Sequence, residues 1–241
     1  MLPAQETPSF KDFFLMLGFA FLLVSAAVLF LHIFPALKLS GFESLVTGLF
    51  MLAAVYPAAR KLGFRFGKTG LYLAGLKSEL RTAFKYFLVI IVLHLAITCV
   101  YTMALAPWDL SWTNTLLFWN DQSSNPATLS ARIDGLLARP LLIPGYVIAI
   151  CMVGPLTEEF VLRRWIYAAM RGRLPAVAAI LLNGALFGLL HGKDFFGTAV
   201  FGFFFCWTYE RTGKLATPIL VHAFVNLLAM LEVFGSRIFG F

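Results

Sequence analysis

Runs of about 20 apolar residues recur along the chain, at 13–34, 42–59, 84–106, 141–162, 174–191, 195–210 and 215–234. A helix of that length crosses a hydrocarbon core about 30 Å thick, and a helix satisfies its own backbone hydrogen bonds in lipid. The pattern predicts an all-α polytopic membrane protein with about seven transmembrane helices, within a range of six to eight. The sixth run is short and carries Gly197 and Gly202, which predicts a tilted span or one packed close to a neighbour. Lys11 and Asp12 precede the first run, and no small-residue cleavage site follows it. It is therefore expected to be a retained span rather than a signal peptide.

Composition agrees with the pattern. Of 241 residues, 60% are hydrophobic and 13% are charged, where a soluble domain has about 25% charged. The net charge is +7, and its location explains it. Arg60, Lys61, Arg65, Lys68, Lys77, Arg81 and Lys85 crowd the link between the second and third runs, opposed only by Glu79. Cytoplasmic loops carry such an excess. This link is expected inside, together with the N terminus, Arg171, Arg173, Arg211 and Lys214, and the C terminus outside. The expected location is the inner or plasma membrane of a bacterial-type cell. Basic loops beside anionic lipid need no nucleic-acid partner, so membrane lipids are the partners the charge implies.

The three cysteines, Cys99, Cys151 and Cys206, lie within apolar runs without paired spacing. They are read as packing residues rather than a disulfide framework or structural zinc site. The one long polar connection, 107–139, holds Trp108, Trp112 and Trp119, which suit the membrane interface. Its stretch TLSARIDGLLARP has apolar residues at helical spacing. An interfacial helix is expected there, with a lid over a substrate entrance as the alternative.

Polar residues without a packing explanation begin at residue 158. Glu158 and Glu159 are followed by Arg163, Phe187 by His191, and His222 by Asn226. Residues four apart share a helix face, so Glu159 can pair with Arg163, and His222 stacks with Asn226. Arg164 and Arg171 are expected as snorkelling boundary charges. Ionisable groups inside spans cost at least a few kcal/mol each and usually mark function. A turn at 171–175 separates the fourth and fifth runs. Glu158 and His191 both lie roughly 22–26 Å from it along their helices, so they are expected to face each other at one level. His222 and Asn226, roughly 14–20 Å from their own turn near Gly213, are expected to join them in one cavity. A carboxylate and a histidine in an apolar pocket suit general acid–base chemistry. Histidine and asparagine donors suit an oxyanion. No serine or cysteine is placed to attack, which leaves water as the nucleophile.

These motifs resemble the CPBP family, also called the CAAX prenyl protease type II or Abi family of intramembrane peptidases. Glu-Glu-x-x-x-Arg, Phe-x-x-x-His and His-x-x-x-Asn stand intact and in order at Glu158–Arg163, Phe187–His191 and His222–Asn226. They cover about 143–232, so residues 141–235 are read as the catalytic core and 1–140 as N-terminal transmembrane helices with the interfacial loop. The resemblance implies that Glu158 and His191 activate water and that His222 and Asn226 bind the oxyanion. It gives Glu159, Arg163 and Phe187 supporting places. It also implies a membrane-associated protein or peptide substrate, of a CAAX, precursor-processing or protein-sorting kind.

The residues leave the metal question open. Zinc takes three or four N, S or O ligands, which Glu158, His191 and His222 would supply in part. There is no His-Glu-x-x-His helix, and the resemblance favours metal-free glutamate chemistry, so no cofactor is expected. Two other classes compete with an endopeptidase. A membrane scaffold or immunity protein would bind a peptide without cutting it. A proton-coupled transporter would show repeated halves with polar residues in both, whereas here they lie in the second half.

Overall fold

A computed structural model of the protein describes residues 75–104, 133–191 and 195–239, with scattered positions between 22 and 56. Five helices dominate the described residues: α1 Leu76–Ala104, α2 Pro140–Arg171, α3 Ala176–Leu190, α4 Phe195–Thr212 and α5 Ala216–Phe239. They correspond to the third to seventh apolar runs. The first two runs fall largely outside the described residues, although the positions described at 22–33 and 46–56 are helical. The basic positions Arg60, Lys61, Arg65 and Lys68 and the three loop tryptophans also lie outside them. Within the described residues, α1, α2 and α5 are each long and apolar enough to cross a membrane.

α2 runs nine residues further than the apolar run at 141–162. Arg163 does not end the helix, because its charge is buried against Glu159 instead of sitting at the boundary. Gly172 and Pro175 end it: the run stops at Arg171, and Pro175 opens α3 with an extended backbone. Two stretches of α2, Ala149–Val153 and Phe160–Tyr167, wind as π-helix and flank Gly154–Glu159. Such i→i+5 stretches are rare and favour functional sites. α4 ends differently. Gly213 adopts φ +64° and donates its N–H to Tyr209 O at 2.8 Å, a left-handed stop that suits a residue without Cβ.

Ion pairs tie the two ends of the bundle separately. Near the starts of α1 and α5, Lys214 Nζ donates to buried Glu79 at 2.5 Å. At the 171–175 turn, Glu210 accepts from Arg171 Nε at 3.2 Å and from the Tyr167 hydroxyl at 2.8 Å. Arg171 thus has a partner beyond the snorkelling role expected of it. At the opposite end, Arg237 donates to both Asp134 oxygens, at 2.7 and 2.6 Å. This bidentate bond holds the Asp134 carboxyl below the usual carboxylate range. Residues 133–137, the described part of the expected interfacial segment, are helical and bury Ile133 and Leu136.

All five helices feed one core, with Ala83 and Ile90 from α1, Leu162 from α2, Phe187 from α3, Phe201, Phe204 and Phe205 from α4, and Val221 and Val225 from α5. Elsewhere the helices expose large apolar side chains, including Val92, Met103, Val177, Leu189 and Leu231. On a soluble protein such continuous apolar surface would drive association; on a membrane protein it is the lipid face. The tightest crossing is α3 on α4. Gly184 and Gly188 form a small-x-x-x-small pair that lets helix backbones approach. A Cβ on Gly184 would strike the Phe203 ring and come within 2.7 Å of its backbone nitrogen. A Cβ on Gly202 would lie 2.8 Å from Phe187 Cβ and 3.0 Å from the Gly184 backbone. The close packing expected of the sixth run is therefore real, and Gly202 makes it.

Gly184→Ala should lower stability by about 1–3 kcal/mol, because the overlap is with backbone as well as ring. Thermal unfolding of the purified variant in detergent checks this, and an unchanged midpoint would show that the crossing has slack.

Candidate active site

Three sequence motifs sit on three helices, and Phe187 is where they meet. The His191 ring lies 4.4 Å from the Phe187 ring and the His222 ring 5.8 Å from it, edge-on. The Arg163 guanidinium covers the same ring at 4.9 Å and Phe205 at 5.5 Å. Phe205 in turn stacks on His222 at 4.8 Å. Phe187, one of 26 phenylalanines, is thus a spacer between two imidazoles and a guanidinium.

Glu159 links the first motif to the third. Its carboxylate lies 3.0 Å from Arg163 Nε, with both side chains fully buried. The N–H is not aimed along that line, so charge rather than an aligned hydrogen bond holds the pair. Arg163 Nη2 donates to Gly202 O at 3.1 Å, a carbonyl within reach because Gly202 has no side chain at the α3–α4 crossing. The other Glu159 oxygen lies 3.1 Å from His222 Nδ1. A carboxylate only accepts, so Nδ1 carries the proton and Nε2 is left for chemistry. Spacing along α2 pairs Glu159 with Arg163 but does not reveal its bond to His222.

His191 is fixed in the same way by a different atom. It follows α3 at φ −93°, ψ 0°, the bridge region where many active-site residues sit. Its Nδ1 is 2.8 Å from Phe187 O. A carbonyl also only accepts, so Nδ1 donates and Nε2 holds the lone pair. Glu158, one residue before the ion pair, has a buried Oε2 with no hydrogen-bond partner among the described residues. Buried carboxylate oxygens without partners are costly, which marks this one as awaiting a water or substrate donor.

The helix register refines the depth argument. Asn183 Nδ2 on α3 donates to Leu162 O on α2 at 3.0 Å. Counted from that bond along antiparallel helices, Glu158 is level with Phe187. The His191 backbone is one turn further on, roughly 5–6 Å. The fold-back of the His191 ring onto Phe187 recovers part of that offset. Asn226 Nδ2 donates to Ile150 O in the first π stretch at 2.9 Å. One of its two N–H groups thus anchors α5 to α2, and the second can serve a substrate. Asn183 also accepts from Cys206 Sγ at 2.8 Å, so Cys206 is more than a packing residue. A lone asparagine inside an apolar span was the available signal, together with the Gly184–Gly188 spacing.

A zinc ion would need three or four ligands from this donor set. Both imidazoles have the outer hydrogen-bond partner that metal histidines use, Glu159 for one and Phe187 O for the other. The ligands themselves do not assemble: among the described residues no three His, Cys, Asp or Glu side chains are grouped to hold a metal ion.

Residues 140–228 match the family model described as Type II CAAX prenyl endopeptidase Rce1-like. The chain is 30% identical over 103 residues to a putative membrane peptidase, YdiL, of Bacillus subtilis (strain 168), covering 42% of this chain and 41% of that protein. It is 27% identical over 159 residues to the membrane-embedded CAAX protease MroQ of Staphylococcus aureus (strain USA300), covering 63% of this chain and 60% of that protein. The alignments thus span less than two thirds of either relative. No solved structure matches the chain.

Arg163→Ala should cost about 3–5 kcal/mol, because it strands a buried carboxylate. Folded yield in detergent and thermal stability should fall together with any activity. A variant of full stability would contradict the structural role given to the pair.

Proposed function

We propose that the chain, whose residues 140–228 match the Type II CAAX prenyl endopeptidase family model, is a CPBP-type intramembrane endopeptidase. It acts on a membrane-associated protein or peptide of the CAAX, precursor-processing or sorting kind, inside a bundle of about seven spans with the N terminus cytoplasmic. The observation that carries this reading is the meeting of all three motifs around Phe187, through Arg163, His191 and His222.

The proposed chemistry uses the carboxylate, imidazole and amide groups of the three motifs. Glu158 removes a proton from a water that donates its other proton to His191 Nε2, a base kept open by the Nδ1–H bond to Phe187 O. The water oxygen attacks the scissile carbonyl carbon, and the carbonyl π pair moves onto its oxygen. The Asn226 amide donates to that oxyanion, and so does His222 Nε2 when its ring is protonated, with Glu159 as counter-charge. Collapse breaks the C–N bond, and the amine leaves with the proton from Glu158. One water is consumed and the carboxylate is regenerated. Arg163 neutralises Glu159, so the imidazole-bearing end of the site does not accumulate negative charge before the oxyanion forms.

The test uses the full chain reconstituted in liposomes with host membrane proteins, reading new peptide termini by mass spectrometry. Glu158→Gln should lower their formation by about 10²–10⁴-fold, the range for loss of a general base, while the variant stays folded. Exhaustive chelation should leave the wild-type rate unchanged. Termini formed equally by Glu158→Gln would remove Glu158 from the reaction, and no wild-type-dependent termini at all would favour a binding scaffold. Activity lost on chelation and restored by zinc would establish metal chemistry instead.

A further inference from the structure

The outer face of α1 carries a feature that peptide-bond chemistry does not use. Lys77, Arg81 and Lys85 recur every four residues, and all three are exposed. That spacing stacks them on one side of the helix. The side opposite is the one α1 buries, through Glu79, Ala83 and Ile90. Like charges at this spacing repel and destabilise a helix, so an anion beside them would offset the repulsion. The acid of that first turn does not do so: Glu79 is turned inward and accepts from Lys214.

The residues beyond the stripe fix its surroundings. The same face continues as Leu88, Val92 and Leu95, which are 49%, 66% and 60% exposed. From Leu88 to Ala104 the helix extends about 24 Å, close to the thickness of a hydrocarbon core of about 30 Å. The change from basic to apolar therefore falls at the edge of the lipid tails, and the cations lie at headgroup depth. Neighbouring aromatics mark the same level. Tyr86 of α1 meets Trp207 of α4 edge-on at 5.5 Å, and the Arg211 guanidinium lies 5.7 Å over the Trp207 ring. Tyrosine and tryptophan collect at membrane–water interfaces.

We infer that Lys77, Arg81 and Lys85 form a binding strip for anionic phospholipid headgroups. The ligand group is the lipid phosphate with its net negative charge. A soluble acidic partner fits less well, because the face runs without a break into lipid-facing side chains. The long stems of lysine and arginine let each cation reach the phosphate layer while its methylenes stay against apolar surface. Each basic residue beside an anionic surface contributes roughly a fivefold preference.

Native mass spectrometry of the purified, delipidated full chain tests this. The chain is titrated with dioleoylphosphatidylglycerol or with dioleoylphosphatidylcholine, which share acyl chains and differ in headgroup charge. The wild type should bind the anionic lipid at least about tenfold more tightly. Arg81→Gln should cut that preference about fivefold, and the triple variant K77Q/R81Q/K85Q should abolish it. Arg173→Gln makes the same charge change at the same end of the bundle but in the 171–175 turn, and should leave the preference within about twofold. If the triple variant does not fold, the Arg81→Gln and Arg173→Gln pair decides. The inference is overturned if the wild type shows no preference or if Arg81→Gln retains it. It is also overturned if Arg173→Gln loses as much as Arg81→Gln, since binding would then follow net charge rather than this strip.

Discussion

A carboxylate inside a membrane protein must be partnered, and Glu159 is partnered twice. Its fully buried charge is balanced by Arg163 one turn along α2 and shared with His222 on α5. Removing either partner would leave charge or a polar group in surroundings where water does not compensate it. The cost of that failure locks three helices together. α2 supplies the pair, α5 must bring His222 to it, and α4 must offer the Gly202 carbonyl to the guanidinium. The candidate site side chains are held by this constraint together with the aromatic packing around Phe187.

The close α3–α4 crossing is the second condition. Gly184, Gly188 and Gly202 let the two backbones approach, and the approach carries Phe187 between Arg163, His191 and His222. The aromatic ring excludes water and separates the two imidazoles, whose Nδ1 atoms are each tied to an oxygen. The result is two ring nitrogens, both Nε2, oriented without being consumed. The π stretches on either side of Gly154–Glu159 belong to the same design, since one provides the carbonyl that anchors Asn226 and the other the carbonyl that receives Asn183.

Much of this was legible from residue order. Apolar run length located α1 to α5, the scarcity of ionisable residues within the runs isolated Glu158, Glu159, Arg163, His191 and His222, and four-residue spacing from His222 picked out Asn226. Helical spacing predicted the Glu159–Arg163 pair. The Glu159–His222 bond was not legible, because it joins residues 63 apart, and spacing along one helix carries no information about which helix face meets another. The turn at 171–175 was legible too, since Gly172 and Pro175 mark it, and α2 ends at Arg171. Depth counted at a uniform rise missed the register offset between Glu158 and His191, since only the Asn183–Leu162 bond sets it and π winding alters the advance of α2. Gly184 and Gly188 were readable as a packing motif, but their consequence, a carbonyl delivered to Arg163, required the fold.

Everything at the site turns on Glu159 orienting His222 through Nδ1–H. Nitrogen-15 NMR of the full chain labelled at histidine measures it directly, with His222→Gln assigning its signals among the four histidines. The account predicts a hydrogen-bonded, protonated Nδ1 on His222 in the wild type, with that signature lost in Glu159→Ala. A wild-type His222 with a bare Nδ1 and its proton on Nε2 would contradict it.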